Sequence, residues 1–149
     1  MAYFVTGATG FIGSNLIPLL LQRTARRRGA AGEIHLLVRE SSLARMERRI
    51  EAWSSVDPAA RRRLKPVLGD LHEPLLGVDP ETIAHLRERG ISHLFHLAAI
   101  YDMTAGAEVN ELANIEGTLH ALELADAVAA GVFHHVSSIA VAGRYRGVF

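Results

Sequence analysis

The chain has 149 residues, about the size of one ordinary domain. Hydrophobic residues make up 49% and charged residues 21%, enough apolar material for a core and too little charge for a disordered tail. Sixteen Lys and Arg balance sixteen Asp and Glu, so no net field draws the protein to nucleic acid or to an anionic membrane surface. The absence of cysteine excludes disulfides, thiol catalysis and thiolate metal sites. No apolar run reaches the roughly 18–20 residues that span a bilayer. Met1-Ala2-Tyr3-Phe4-Val5 does not open a secretory signal, so a soluble cytoplasmic unit is expected.

Apolar runs of strand length alternate with longer segments of helical period. Tyr3 to Thr6 is the first strand candidate. Phe11 to Arg28 follows as a helix stopped by Gly29, with Ile12, Leu16, Leu19 and Leu20 on one face and Pro18 expected to bend it. Ile34 to Val38 is the second strand, and Ser42 to Ser54 a basic amphipathic helix with Leu43, Met46, Ile50 and Trp53 on its apolar side. Arg61-Arg62-Arg63 reads as a solvated helix face or loop. Pro66 to Leu68 is a short third strand, Pro80 to Arg89 a short helix, and His93 to Leu97 the fourth strand. Ile115 to Ala129 places Ile115, Leu119, Leu122 and Val128 on one stripe, and Val132 to Ser137 is the fifth strand. Near-continuous apolar strands separated by helices predict an α/β fold. It is expected to be a Rossmann-type doubly wound parallel sheet in three α/β/α layers, incomplete at its C-terminal side.

Thr6-Gly7-Ala8-Thr9-Gly10-Phe11-Ile12-Gly13 sits between the first strand and the first helix. There Gly7 lets the chain turn off the strand, Gly10 lets backbone amides approach a pyrophosphate, and Gly13 lets the helix pack on the sheet. The helix N-terminus adds unpaired amides and partial positive charge. A phosphate loop of the kinase type is disfavoured, because no Gly-Lys-Ser/Thr follows and Lys65 is the only lysine.

Arg39 ends the second strand, where the adenosine ribose lies in such folds. A guanidinium there suits the 2′-phosphate of NADP, whereas an acidic residue would suit NAD; Glu40 blurs the distinction, and a solvated strand-end arginine is the plain alternative. NADP rather than NAD is the expected cofactor. Ala98 and Ala99 are small enough to let a dinucleotide cross the carboxyl edge of the sheet, while His96 reads as a satisfied core histidine. His93 and His96 point to opposite faces, as do His134 and His135, so no metal site is expected.

The Thr-Gly-Ala-Thr-Gly-Phe-Ile-Gly opening resembles that of the extended short-chain dehydrogenase/reductases, the NAD(P)-dependent epimerase/dehydratase superfamily. Four further stretches match in family order: Gly69-Asp70-Leu71, His96-Leu97-Ala98-Ala99, Asn114-Ile115-Glu116-Gly117-Thr118 and Val136-Ser137-Ser138. Leu37-Val38-Arg39 and the basic helix after it look most like the thioester- and fatty-acyl-reductase branch. The resemblance implies that Gly7, Thr9, Gly10, Phe11, Ile12 and Gly13 form the cofactor loop. It also implies that Asp70 and Leu71 flank the adenine, against the alternative of a turn aspartate. Asn114 would hold the active-site lysine and complete a proton relay, against the alternative of a helix cap. Ser138, five residues before Gly143, matches the catalytic serine, with Ser137 as a neighbouring cofactor contact.

The family's Tyr-x-x-x-Lys pair does not occur: the tyrosines are Tyr3, Tyr101 and Tyr145, and position 149 is Phe149. The expectation is therefore a dinucleotide-binding domain over residues 1–149, the N-terminal portion of a longer enzyme. By itself it should bind NADP weakly and not turn over. Because the first strand begins at Tyr3, a stand-alone reductase is expected rather than the last module of a synthetase. The whole enzyme would reduce a carbonyl or acyl thioester of a small-molecule substrate by hydride transfer. A nucleotide-sugar epimerase or dehydratase, a non-catalytic NADP-binding regulatory protein and, last, a methyltransferase remain as alternatives, and a homodimer stays open.

Overall fold

Every residue of β1 (Ala2–Thr6) is buried, which places that strand in the middle of the sheet with both faces covered. The computed structural model describes residues 2–25, 32–99, 112–138 and 147. After β1 come α1 (Phe11–Ala25), β2 (Ile34–Val38), a 3-10 turn at Glu40–Ser42, α2 (Leu43–Val56) and the single-turn α3 (Ala60–Arg63). They are followed by β3 (Leu64–Leu68), a second 3-10 turn at Pro74–Gly77, α4 (Pro80–Arg89) and β4 (Ile91–His96). A π-helical turn at Leu112–Glu116, α5 (Gly117–Ala127) and β5 (Val132–His135) complete the described chain. The proposed stop at Gly29 lies outside the described residues.

The strand order is β3-β2-β1-β4-β5 and all four pairings are parallel. Alternation along β1 divides the core in two. Tyr3 and Val5 face α1 and α2 with Ile17, Leu20, Leu36, Met46 and Ile50. Ala2 and Phe4 face α4 and α5 with Leu86, Leu94, Leu124 and Val128. This is the three-layer α/β/α arrangement expected from the strand–helix alternation. The order reverses beside β1: the chain moves outward to β2 and β3, then returns to β4 on the other side. A crevice at the carboxyl ends of β1 and β4 is the consequence.

Two helix faces differ from the sequence reading. In α1 the buried residues are Gly13, Ile17, Leu20, Leu21 and Thr24, whereas Ile12 and Leu19 are exposed. That helix is apolar nearly all round, so periodicity alone could not choose its inner side. In α5 the buried face is Gly117, Ala121, Leu124 and Ala125, continued by Val128, and Ile115, Leu119 and Leu122 are exposed. Small residues win because they let the helix approach closely: a Cβ on Gly117 would lie 3.2 Å from Leu71 Cβ. The arginine triplet is split as well. Arg63 is buried, donating from Nη2 to Leu21 O at 2.9 Å and from Nε to Gly32 O at 3.3 Å, while Arg61 and Arg62 are exposed. It holds the chain near the end of α1 to the start of β3.

Candidate functional site

The first turn leaves β1 at Gly7, whose φ of 70° lies in the left-handed region that an L side chain resists. A Cβ there would also sit 2.7 Å from the Ala98 amide nitrogen, so the loop is pressed against the end of β4. Gly13 has a separate reason: its Cβ would lie 2.6 Å from Ala8 Cα, where α1 crosses the loop. At Gly10 the only neighbour a Cβ would meet among the described residues is Gly7 O, at 3.3 Å. The protein's own packing therefore constrains position 10 less than positions 7 and 13, and a ligand approaching the amides would constrain it further.

One cleft collects the carboxyl ends of four strands. Its wall includes Gly7, Thr9 and Gly10 after β1, Arg39 after β2, Asp70 and Leu71 after β3, and Ala98 and Ala99 after β4. These eight were singled out from the sequence. Phe11, Ile12, Gly13, Asn114, Ser137 and Ser138 lie outside that wall, and Phe11 points to solvent at 87% exposure. The structure adds three polar residues that the sequence reading passed over. Ser42 and Arg45 come from the turn and helix after Arg39, and His72 follows Leu71. Ser42, Arg45 and Met46 share one side of the helix start, so an i, i+3, i+4 spacing behind Arg39 was the available signal. Arg45 Nη2 donates to Ser42 Oγ at 3.2 Å. Two guanidinium groups thus border the cleft near β2, with no carboxylate from β2 facing them across its wall.

Asp70 is held from several directions. Its amide donates to Leu76 O at 2.8 Å, and its carbonyl accepts from Glu73 N at 3.2 Å. Carboxylate Oδ1 accepts from the His72 amide at 3.1 Å and from His72 Nδ1 at 2.7 Å. Burial pushes this carboxyl up, but the His72 hydrogen bonds and the electrostatic attraction of His72 and Arg39 outweigh it and hold the group below the usual carboxylate range. Leu71 faces the opposite layer, where its carbonyl accepts from His120 Nδ1 at 2.9 Å.

Beneath the cleft runs a buried polar chain. Thr6 Oγ1 accepts the amide protons of Leu97 at 3.2 Å and Ala98 at 3.1 Å, so its own proton goes to His96 Nδ1 at 3.0 Å. The ring proton then belongs on Nε2, which reaches Thr118 Oγ1 at 3.3 Å, and that hydroxyl donates to Asn114 O at 2.7 Å. His96 is thus a satisfied core histidine, as its strand position suggested. Burial, with a smaller contribution from His135, pushes its pKa down to about 4. The chain links the end of β4 to the half-buried Asn114. Ser137 and Ser138 are exposed at the same edge of the sheet, where Val136 N donates to His96 O at 3.1 Å.

His93 Nδ1 and His134 Nε2 pair across β4 and β5 at 2.9 Å, while His96 and His135 stack elsewhere at a centroid distance of 5.5 Å. Among the described residues no group of three or more His, Asp or Glu is placed to hold a metal ion. No helix among them is long and apolar enough to cross a membrane.

Comparison with known proteins agrees with this geometry. The family model described as "Male sterility protein", an NAD-binding domain, matches residues 5–149. An aldehyde reductase of Aspergillus flavus is 35% identical over 147 residues, which cover 94% of this chain and 13% of that protein. Among solved structures, the terminal R domain of the myxalamid biosynthetic pathway superposes with a TM-score of 0.77 at 30% identity, covering 99% of this chain and 37% of that one. The reductase domain of a Mycobacterium tuberculosis nonribosomal peptide synthetase gives 0.76 at 26% identity, covering 97% and 35%. The chain therefore spans about a third of these reductase domains.

Proposed function

The chain belongs to the male sterility protein family of NAD-binding domains, on the extended short-chain dehydrogenase/reductase fold, and from that premise we propose that it is the cofactor-binding portion of an NADPH-dependent reductase. One observation carries the NADPH reading: Arg39 and Arg45 border the same cleft as the Gly7 turn and the Asp70 carboxylate. The glycine loop and the start of α1 would receive the pyrophosphate, the two guanidinium groups the 2′-phosphate, and Asp70 the adenine amine. The absence of a side chain at Gly10, which lines the cleft, fits such a ligand. When bound, the nicotinamide supplies a hydride.

The substrate class follows from the relatives named for reduction, among them the aldehyde reductase, and is an aldehyde, ketone or acyl thioester. Hydride addition to such a carbon leaves negative charge on oxygen, and Ser138 would donate a hydrogen bond to it. Asn114, anchored through Thr118, would orient groups that return the proton. The family's Tyr-x-x-x-Lys pair does not occur among these 149 residues, Lys65 being the only lysine and lying in β3.

Calorimetric titration of the chain with NADPH and NADH tests the cofactor assignment. The expected result is a preference for NADPH of about tenfold or more, reduced by roughly tenfold in Arg39→Ala and again in Arg45→Ala, as befits charged hydrogen bonds. Equal affinity of the unmodified chain for both nucleotides removes the NADP assignment. In the enzyme that carries this domain, NADPH oxidation with acyl-CoA but not with UDP-sugars separates reduction from sugar epimerisation.

A further inference from the structure

We propose that His72 is a positioning residue that makes the Asp70 carboxylate a selective acceptor for the adenine amine; this rests on the reading of Asp70 given above. A lone aspartate at a strand end turns about its Cβ–Cγ bond and offers water either oxygen. Here that freedom is removed. Oδ1 receives two donors from the same residue, the His72 amide at 3.1 Å and the ring Nδ1 at 2.7 Å. A carboxylate in this position only accepts, so Nδ1 carries the proton. With Oδ1 occupied and the carboxylate plane fixed, Oδ2 is the oxygen left to meet a ligand; it makes no hydrogen bond among the described residues.

The backbone around the pair is equally constrained. Gly69 N donates to Val38 O at 3.1 Å, and Asp70 N to Leu76 O at 2.8 Å. Leu76 is fully buried although its φ is 59°, a left-handed conformation that persists only where packing imposes it. Asp70 and His72 both line the cleft, and each side chain is a little over one third exposed. The pair is therefore open to a ligand on one side and fixed on the other.

Two donors on Oδ1 favour the ionised carboxylate, which determines what it can recognise. An anion at Oδ2 attracts the 6-amino donor of adenine and repels the 6-oxo group of hypoxanthine. A protonated carboxyl could instead donate to that oxygen, and a freely turning carboxylate would hold neither oxygen steadily toward the amine; either would discriminate poorly. His72 thus governs base selectivity without touching the base. The 2′-phosphate end of the cleft, at Arg39 and Arg45, is a separate recognition element.

The test compares NADP⁺ with its deaminated analogue, nicotinamide hypoxanthine dinucleotide phosphate, by calorimetry on the same chain. The unmodified chain is expected to prefer the adenine form by about tenfold. In His72→Ala that preference should fall to about twofold, with the NADPH-to-NADH ratio unchanged. His72→Asn, whose side-chain amide can donate to Oδ1 as Nδ1 does, should restore most of it. An unaltered adenine preference in His72→Ala overturns the proposal, as does a parallel loss of both ratios or failure of His72→Asn to rescue. If the unmodified chain binds both nucleotides equally, or neither, the Asp70 assignment itself falls and takes the role of His72 with it.

Discussion

Acid should destabilise this protein through two histidines that never reach water. His35 in β2 is 3% exposed and His96 in β4 is 1% exposed. Burial pushes both from 6.5 down to about 4. His96 uses both nitrogens within the folded chain, and a proton added to Nδ1 would meet the Thr6 hydroxyl proton instead of a lone pair. His35 has no hydrogen bond at Nε2 among the described residues, and the Glu33 carboxylate lies 3.6 Å away, too far to bond and too weak to reverse the effect of burial. At neutral pH that contact joins a neutral ring to a carboxylate and is not an ion pair. Between pH 6.5 and about 4 the unfolded chain binds protons that the folded chain refuses, so stability falls as pH falls through that window. It is fully present above 6.5. Each pH unit removes about 1.4 kcal/mol per ring, so moving from pH 7.5 to 5 removes roughly 2 kcal/mol for each and about 4 kcal/mol together. That is a large part of the roughly 5–15 kcal/mol typical of a domain. Urea midpoints at the two pH values measure the change, and the ring proton shifts of His35 and His96 assign it. A midpoint that does not move, or either ring titrating near 6.5 in the folded protein, refutes the reasoning.

The three loop glycines should separate by mechanism. Gly7→Ala combines a positive φ with a 2.7 Å approach to Ala98 N and should cost about 3 kcal/mol or more in urea unfolding. Gly10→Ala, facing only Gly7 O at 3.3 Å, should unfold within about 1 kcal/mol of the parent yet lose NADPH affinity by tenfold or more, which titration would show. Arg63→Met strands two backbone carbonyls in the interior and should cost about 2–4 kcal/mol, whereas the exposed Arg62→Ala should stay within roughly 0.5 kcal/mol. Equal costs at positions 62 and 63 would mean that the buried guanidinium contributes little.

Much of the fold was legible because its signals are local. Strand-length apolar runs and the glycines at 7, 10 and 13 depend on neighbours a few residues away. Eight cleft residues could be named in advance from the glycine loop, the strand ends and the family resemblance, and a parallel sheet brings all its carboxyl ends to one edge. Faces were harder to read. Ile115, Leu119 and Leu122 make the more apolar stripe of α5, but the sheet selected the face of Gly117, Ala121 and Ala125.

The amino-acid order by itself determined which segments become strands and helices and where the chain bends off the first strand, because backbone sterics and hydrophobic period act along the chain. Tertiary structure alone decided that Arg63 is interior and Arg62 is not, and that Thr6, His96, Thr118 and Asn114 form one hydrogen-bonded line. Those outcomes depend on distances between residues as many as 90 positions apart, and such distances exist only once the layers have packed.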